Sequence, residues 1–257
     1  MGEALLKGLL GASLLAADQI QVFDVSQARL DHLKTTYLIK CAASIAEIAN
    51  TCDLIVLAVK PQTMAAVLVE LNAKISHNPL VISIAAGVPI ATLLKALPQN
   101  TSIIRVMPNT PALVLSGASA LSRGPHVTDL QMDMGLALFR AVGTAIEVEE
   151  RLMDAVTGLS GSGPAYFLLL FEALIDGGVR MGLPRPIARE LVLQTALGTV
   201  QMAQETGKHP AELKDLITSP GGTTISGLQV LEERAVRGAL IGAVEAATTR
   251  SQELGKA

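Results

Sequence analysis

From Gln19 to about Glu150 the chain sets short, unbroken apolar runs between stretches whose apolar residues recur every three or four positions. The runs are Ile20 to Val25, Leu54 to Val59, Leu80 to Ala86, Ser102 to Met107, Gly117 to Leu121 and Thr144 to Val148. A strand with one wet face alternates apolar and polar residues, whereas a strand covered on both faces has no such need. Unbroken Val, Ile, Leu and Ala therefore predict strands lying between two layers of helices, an α/β arrangement with a parallel sheet. Ahead of the first run, Leu5, Leu6, Leu9 and Leu10 fall at helical spacing with Glu3 near the start and Gly11 near the end, which predicts an amphipathic helix. Pro61, directly after "LAVK", suits the first turn of another helix, and "GVPIATLLKAL" repeats the arrangement after "LVISIAA".

After about Arg151 the strand signal stops. "DAVTGLSGSGPAYFLLLFEALIDGGVRMGLP", "RPIARELVLQTALGTVQMAQETG" and "HPAELKDLITSPGGTTISGLQVLEE" read as helices punctuated by Gly and Pro, and a last helix is expected from about Ala235 to Glu253. Two domains are expected, an α/β half over residues 1–150 and an all-helical half over 151–257. The small residues of "GLSGSGPA" either let two helices approach closely or turn the chain.

Half of the 257 residues are hydrophobic but only 2% are aromatic, so the core must be built from Ala, Leu, Ile and Val. The second half is too apolar and too thin in aromatics to cover itself, which predicts an obligate homodimer with Gly158, Gly161, Gly163 and Gly177 in its close contacts. A net charge of −3 and the lack of any basic run argue against a nucleic-acid partner. The apolar segments are interrupted by charge, Pro or Gly short of about 20 residues, so no membrane partner is expected. There is no basic segment followed by a small-residue cleavage site, and Cys41 and Cys52 have neither CxxC spacing nor a His cluster beside them. A reducing, cytoplasmic setting without a metal site is expected.

In an open α/β sheet, ligands bind beyond the carboxyl ends of the strands. "AVKP", Ala58-Val59-Lys60-Pro61, ends one run; Lys60 is placed for phosphate or ribose, or is simply a solvated lysine. In "SIAAGV", Ala85, Ala86 and Gly87 are small enough to admit a flat ring, although a tight turn explains Gly87 equally well. "RVMPNTP" ends a third run with two prolines stiffening the loop around Asn109. Three such loops in succession suggest one cofactor crevice. At the end of the first run, Asp24 favours NAD(H) through the ribose hydroxyl, whereas Ser26 and Arg29 can accommodate the extra phosphate of NADP(H). In the helical half, Ser219-Pro220-Gly221-Gly222-Thr223-Thr224 leads into an apolar-periodic helix, so free N–H groups and the positive end of the helix dipole converge there. That is an anion site, unless the hydroxyls are ordinary helix caps. The four histidines read as surface or loop residues.

"AVKP", "SIAAGV", "RVMPNTP", "GLSGSGPAY" and "HPAELKDLITSPGGTTISGLQVLEE", in this order and at these separations, resemble the pyrroline-5-carboxylate reductases over essentially the whole chain. The resemblance implies a Rossmann-like domain, an all-helical dimerisation domain, dimers that can assemble into rings, and NAD(P)H-dependent reduction of 1-pyrroline-5-carboxylate to L-proline. NADP(H) is the favoured cofactor and NAD(H) the alternative. By the same resemblance, the substrate carboxylate rests on N–H groups of Gly222 to Thr224, with Ser219, Gly221 and Thr223 around it. The Thr224 hydroxyl reaches the ring nitrogen as the catalytic group. A hydroxyacid dehydrogenase of similar build would need a lysine on the long helix, and "AYFLLLFEALIDGG" has none. The other alternative is a non-catalytic relative that keeps only the dimer.

The family's loop has the form GxGxMG after a first strand. Met1-Gly2 match its last two positions, so the expectation is a start placed at an internal Met, with Gly2 as the remaining cofactor-loop glycine. That first strand would lie mid-sheet, and a chain without it is expected to bind the cofactor less well.

Overall fold

The computed structural model describes residues 1–75 and 77–255. They form two compact units, Met1–Ser162 joined by the carboxyl-terminal segment from Glu245, and Gly163–Val244.

The first unit holds α1 (Gly2–Gly11), β1 (Gln21–Val22), α2 (Gln27–Tyr37), β2 (Lys40–Cys41), α3 (Ile45–Thr51), β3 (Leu54–Leu57), α4 (Pro61–Asn72), β4 (Leu80–Ser83), α5 (Ile90–Ala96), β5 (Ser102–Met107), β6 (Gly117–Arg123), α6 (Asp129–Arg140), β7 (Gly143–Glu147) and α7 (Met153–Val156). Strands β3 to β7 form one sheet in sequence order, while β1 and β2 pair separately. Val81 and Ile103 pack on one face with Met64, Leu68 and Leu93 of α4 and α5. Ile82, Ile104 and Val106 pack on the other with Leu5 of α1 and Met132, Leu136 and Phe139 of α6. Coverage on both faces is why these strands are unbroken apolar runs.

Three features depart from the sequence reading. The first strand is only two residues long, and β2 has no apolar run to announce it. β6 lies antiparallel to β5. The link from Met107 to Gly117 contains one 3₁₀ turn at Thr110–Val114, too short for the helical crossover that a parallel neighbour requires. Finally, the glycines between Glu150 and Arg180 do not open a loop; Ser162 alone is a bend there. The apolar path over these 31 residues is, among the described residues, long and apolar enough by length and composition to cross a membrane. Thr157–Gly161 continues the path as a π turn, and Pro164 sits in the first turn of the next helix, where its missing N–H is harmless. Gly161 is used within the first unit: a Cβ there would lie 2.6 Å from Met107 Cε.

The second unit consists of α8 (Gly163–Arg180), α9 (Arg185–Thr206), α10 (Pro210–Leu216), α11 (Thr223–Glu233) and the start of α12 (Val236–Leu254). Its described residues bury little: only Gly163, Ala188 and Leu213 are fully covered. Phe167, Leu168, Leu169, Leu174, Leu197 and Ile217 are exposed. An apolar surface of this extent on a folded chain marks an interface.

Candidate active site

Because β3, β4 and β5 are parallel, their carboxyl ends share one edge of the sheet. Three of the expected cofactor segments, Ala58–Pro61, Ala85–Gly87 and the loop at Asn109, therefore come together at that edge. Ala58, Lys60 and Pro61 are exposed, Val59 and Gly87 half-buried and Ala85 buried. Lys60 occupies the cap position of α4, with Pro61 at its first turn. Gly87 has φ +73°, a left-handed turn that side-chain-bearing residues resist. Gly2 joins the group, since a Cβ on it would lie 3.4 Å from that of Ala58. No side chain caps α1, so its first N–H groups are free for an anion beside these strand ends.

Asn109 is fully engaged in holding its loop. Its Nδ2 donates to the Ser160 carbonyl at 3.1 Å and its Oδ1 accepts from Ala118 N at 2.8 Å. A second brace was not anticipated from sequence. Glu150 Oε1 accepts from Ile90 N at 2.7 Å and from Arg105 Nη1 at 3.3 Å, tying the start of α5, just after Gly87, to mid-strand β5. Its signal was a lone arginine inside an otherwise apolar run, Ser102 to Met107.

At the end of β1, Asp24 Oδ1 accepts from Ser26 N at 2.9 Å, and Ser26 Oγ caps α2 by accepting from Arg29 N at 3.4 Å. The Arg29 side chain turns to α1, where Nη2 donates to Glu3 Oε2. Glu3 Oε1 also lies 3.1 Å from His32 Nε2 and accepts from Tyr37 Oη at 3.1 Å. The hydrogen bonds from His32, Arg29 and Tyr37 outweigh partial burial and hold the Glu3 carboxyl down to about 2. Burial and the bond to Glu3 push the Tyr37 hydroxyl up.

In the second unit, Gly221 turns the chain at φ +65° and Gly222 caps α11 with no side-chain hydrogen bond. Ser219, Gly221 and Thr223 are exposed, and Gly222 and Thr224 half-buried. Gly222 N donates to the Ser219 carbonyl at 3.0 Å, and a Cβ on Gly222 would fall 2.2 Å from Ser219 Oγ. Gly221 is therefore required by its left-handed turn, whereas a Cβ on Gly222 would displace the Ser219 hydroxyl. None of the three hydroxyls caps the helix, so the capping alternative does not account for them, and the first N–H groups of α11 remain open to an anion.

A sheet edge suited to a dinucleotide, with a helical unit carrying an anion-receptive turn, defines a two-unit nicotinamide-dependent oxidoreductase. Comparison with known proteins narrows the class. Residues 150–254 match the family model "Pyrroline-5-carboxylate reductase dimerisation". Residues 1–87 match "NADP oxidoreductase coenzyme F420-dependent". A pyrroline-5-carboxylate reductase from Synechocystis is 50% identical across 100% of this chain and 95% of its own length. Among solved structures, the reductase from Coxiella burnetii is 36% identical with TM-score 0.94, covering 98% of this chain and 94% of that one. The Plasmodium falciparum pyrroline carboxylate reductase, solved with NADP bound, is 35% identical with TM-score 0.88, covering 99% and 94%. The chain belongs to the pyrroline-5-carboxylate reductase family, and its helical segment is the part by which that family dimerises.

Proposed function

We propose that the chain reduces 1-pyrroline-5-carboxylate to L-proline, the last step of proline biosynthesis, using NADPH, with NADH as the weaker alternative. The observation that carries this reading is the uncapped start of α11 behind Gly221-Gly222, joined to whole-chain likeness to reductases of this name. The residues at the β3–β5 edge fit a dinucleotide. The free N–H groups of α1 suit the pyrophosphate, and Ala58 to Pro61, Ala85 to Gly87 and the Asn109 loop suit the nucleoside and nicotinamide. Ser26 and Arg29 are assigned to the adenosine 2′-phosphate and Asp24 to its ribose.

The bound cofactor supplies a hydride; the chain's residues position the imine and manage its charge. N–H groups of Thr223 and Thr224 hold the substrate carboxylate, with the Ser219 hydroxyl beside it; the N–H of Gly222, expected to join them, is given to the Ser219 carbonyl and holds the turn instead. The Thr224 hydroxyl accepts from the protonated ring nitrogen and keeps the proton there, which makes the imine carbon more electrophilic. No His–Asp relay is needed, and all four histidines are exposed.

We assign the exposed apolar face of α8 and α9 to the homodimer rather than to lipid, and infer assembly of dimers into rings in the cytoplasm. Thr224→Ala tests the catalytic assignment. Loss of one oriented hydrogen bond in the transition state costs about 2–4 kcal/mol, or about 30- to 1,000-fold in kcat, with dimerisation intact. Wild-type turnover in the purified variant removes Thr224 from the mechanism.

A further inference from the structure

The two charged side chains that bear on cofactor choice at the end of β1, Asp24 and Arg29, are both already occupied. Asp24 spends an oxygen on Ser26 N. Arg29, the cation expected to meet a 2′-phosphate, donates instead to Glu3, which lies on a different helix and gathers His32 and Tyr37 as well. With the Glu3 carboxylate against it, the Arg29 guanidinium presents little net charge to an incoming dianion. We propose that Glu3 is a specificity-determining residue: by pairing with Arg29 it weakens the preference for NADPH over NADH. This rests on the assignment of Ser26 and Arg29 to the 2′-phosphate.

The pair is well placed to be contested. The Arg29 and Glu3 side chains retain 42% and 28% of their exposure, so solvent screens their attraction and a doubly charged phosphate can compete for the guanidinium. His32 and Tyr37 lie against the other oxygen of Glu3, so the carboxylate keeps polar neighbours when Arg29 turns away. NADH offers no phosphate at this position and gains nothing from the change. Glu3 also sits in the first turn of α1, where its charge bears on the pyrophosphate, but that effect is common to both cofactors and cancels in their ratio.

The experiment compares kcat/KM for NADPH and NADH in the wild-type full chain and in Glu3→Gln, Arg29→Ala and the double variant, at low and high salt. Both cofactors are measured on one preparation, so the folded fraction cancels even where a variant is partly unfolded. Glu3→Gln is expected to raise the NADPH/NADH ratio about two- to fivefold, less at high salt, the scale of one partly exposed charge pair. Arg29→Ala should lower the ratio, and the double variant should match Arg29→Ala alone. A ratio unmoved by Glu3→Gln but lowered by Arg29→Ala overturns the role of Glu3 and leaves the cofactor assignment standing. A Glu3→Gln effect that persists without Arg29 also overturns it. If Arg29→Ala leaves the ratio unchanged, both the role of Glu3 and the 2′-phosphate assignment fall.

Discussion

Glu3 shows how a single side chain joins two elements whose relation is not legible along the chain. Its place near a helix start was evident, and acidic residues there are favourable on dipole grounds alone. Its partners, 26 to 34 residues away, were not. Because folding holds the Glu3 carboxyl at about 2, against an ordinary 4.5, the ionised form contributes stability that is fully present above pH 4.5. That contribution is lost as pH falls through the interval towards 2. Wild type should therefore melt above Glu3→Gln by a constant margin at neutral pH, and the margin should close between pH 4.5 and 2. A gap unchanged across that interval would show that Glu3 acts by packing rather than by charge. The glycines of the SPGGTT turn were readable from sequence; that no hydroxyl caps α11 was not, since capping depends on side-chain direction.

Elements were legible in proportion to how much apolar surface each covers. β3, β4 and β5 lie within their predicted runs because both faces are buried. β2 escaped notice because two residues, one of them Lys40, carry no pattern. The antiparallel entry of β6 could have been read from the sequence, because the link between the run ending at Met107 and the run starting at Gly117 is too short for a helical crossover. The pairing of β6 with β7 depends on a feature invisible in the hydrophobic pattern. Gly143 has φ +143°, and a Cβ there would lie 2.0 Å from the Gly117 carbonyl oxygen. Both clashing groups are backbone in adjacent strands, so nothing can move aside. Gly143→Ala is expected to cost about 3 kcal/mol or more in stability, read as a lowered urea midpoint. A midpoint within error of wild type would show that the strands part freely at this end.

For the whole molecule, the division of labour between an α/β half and a helical half was plain, because the strand signal stops near Arg151. What the pattern could not show is the π turn at Thr157–Gly161, which holds Gly158 and Gly161 within a helical path rather than at a loop. Exposed Phe167, Leu168, Leu174 and Leu197 leave the second unit with more apolar surface than it can cover. Sedimentation at micromolar concentration in detergent-free buffer should therefore find dimers or multiples of dimers and no monomer. A stable monomer would contradict the assignment of this face.

The central claim is chemical, and isotope transfer tests it most directly. The full chain is given 1-pyrroline-5-carboxylate and NADPH deuterated at the transferable position of the nicotinamide. The account predicts one NADPH consumed per L-proline formed, with one deuterium on the former imine carbon. Cofactor oxidation without proline, or proline without the label, would contradict it.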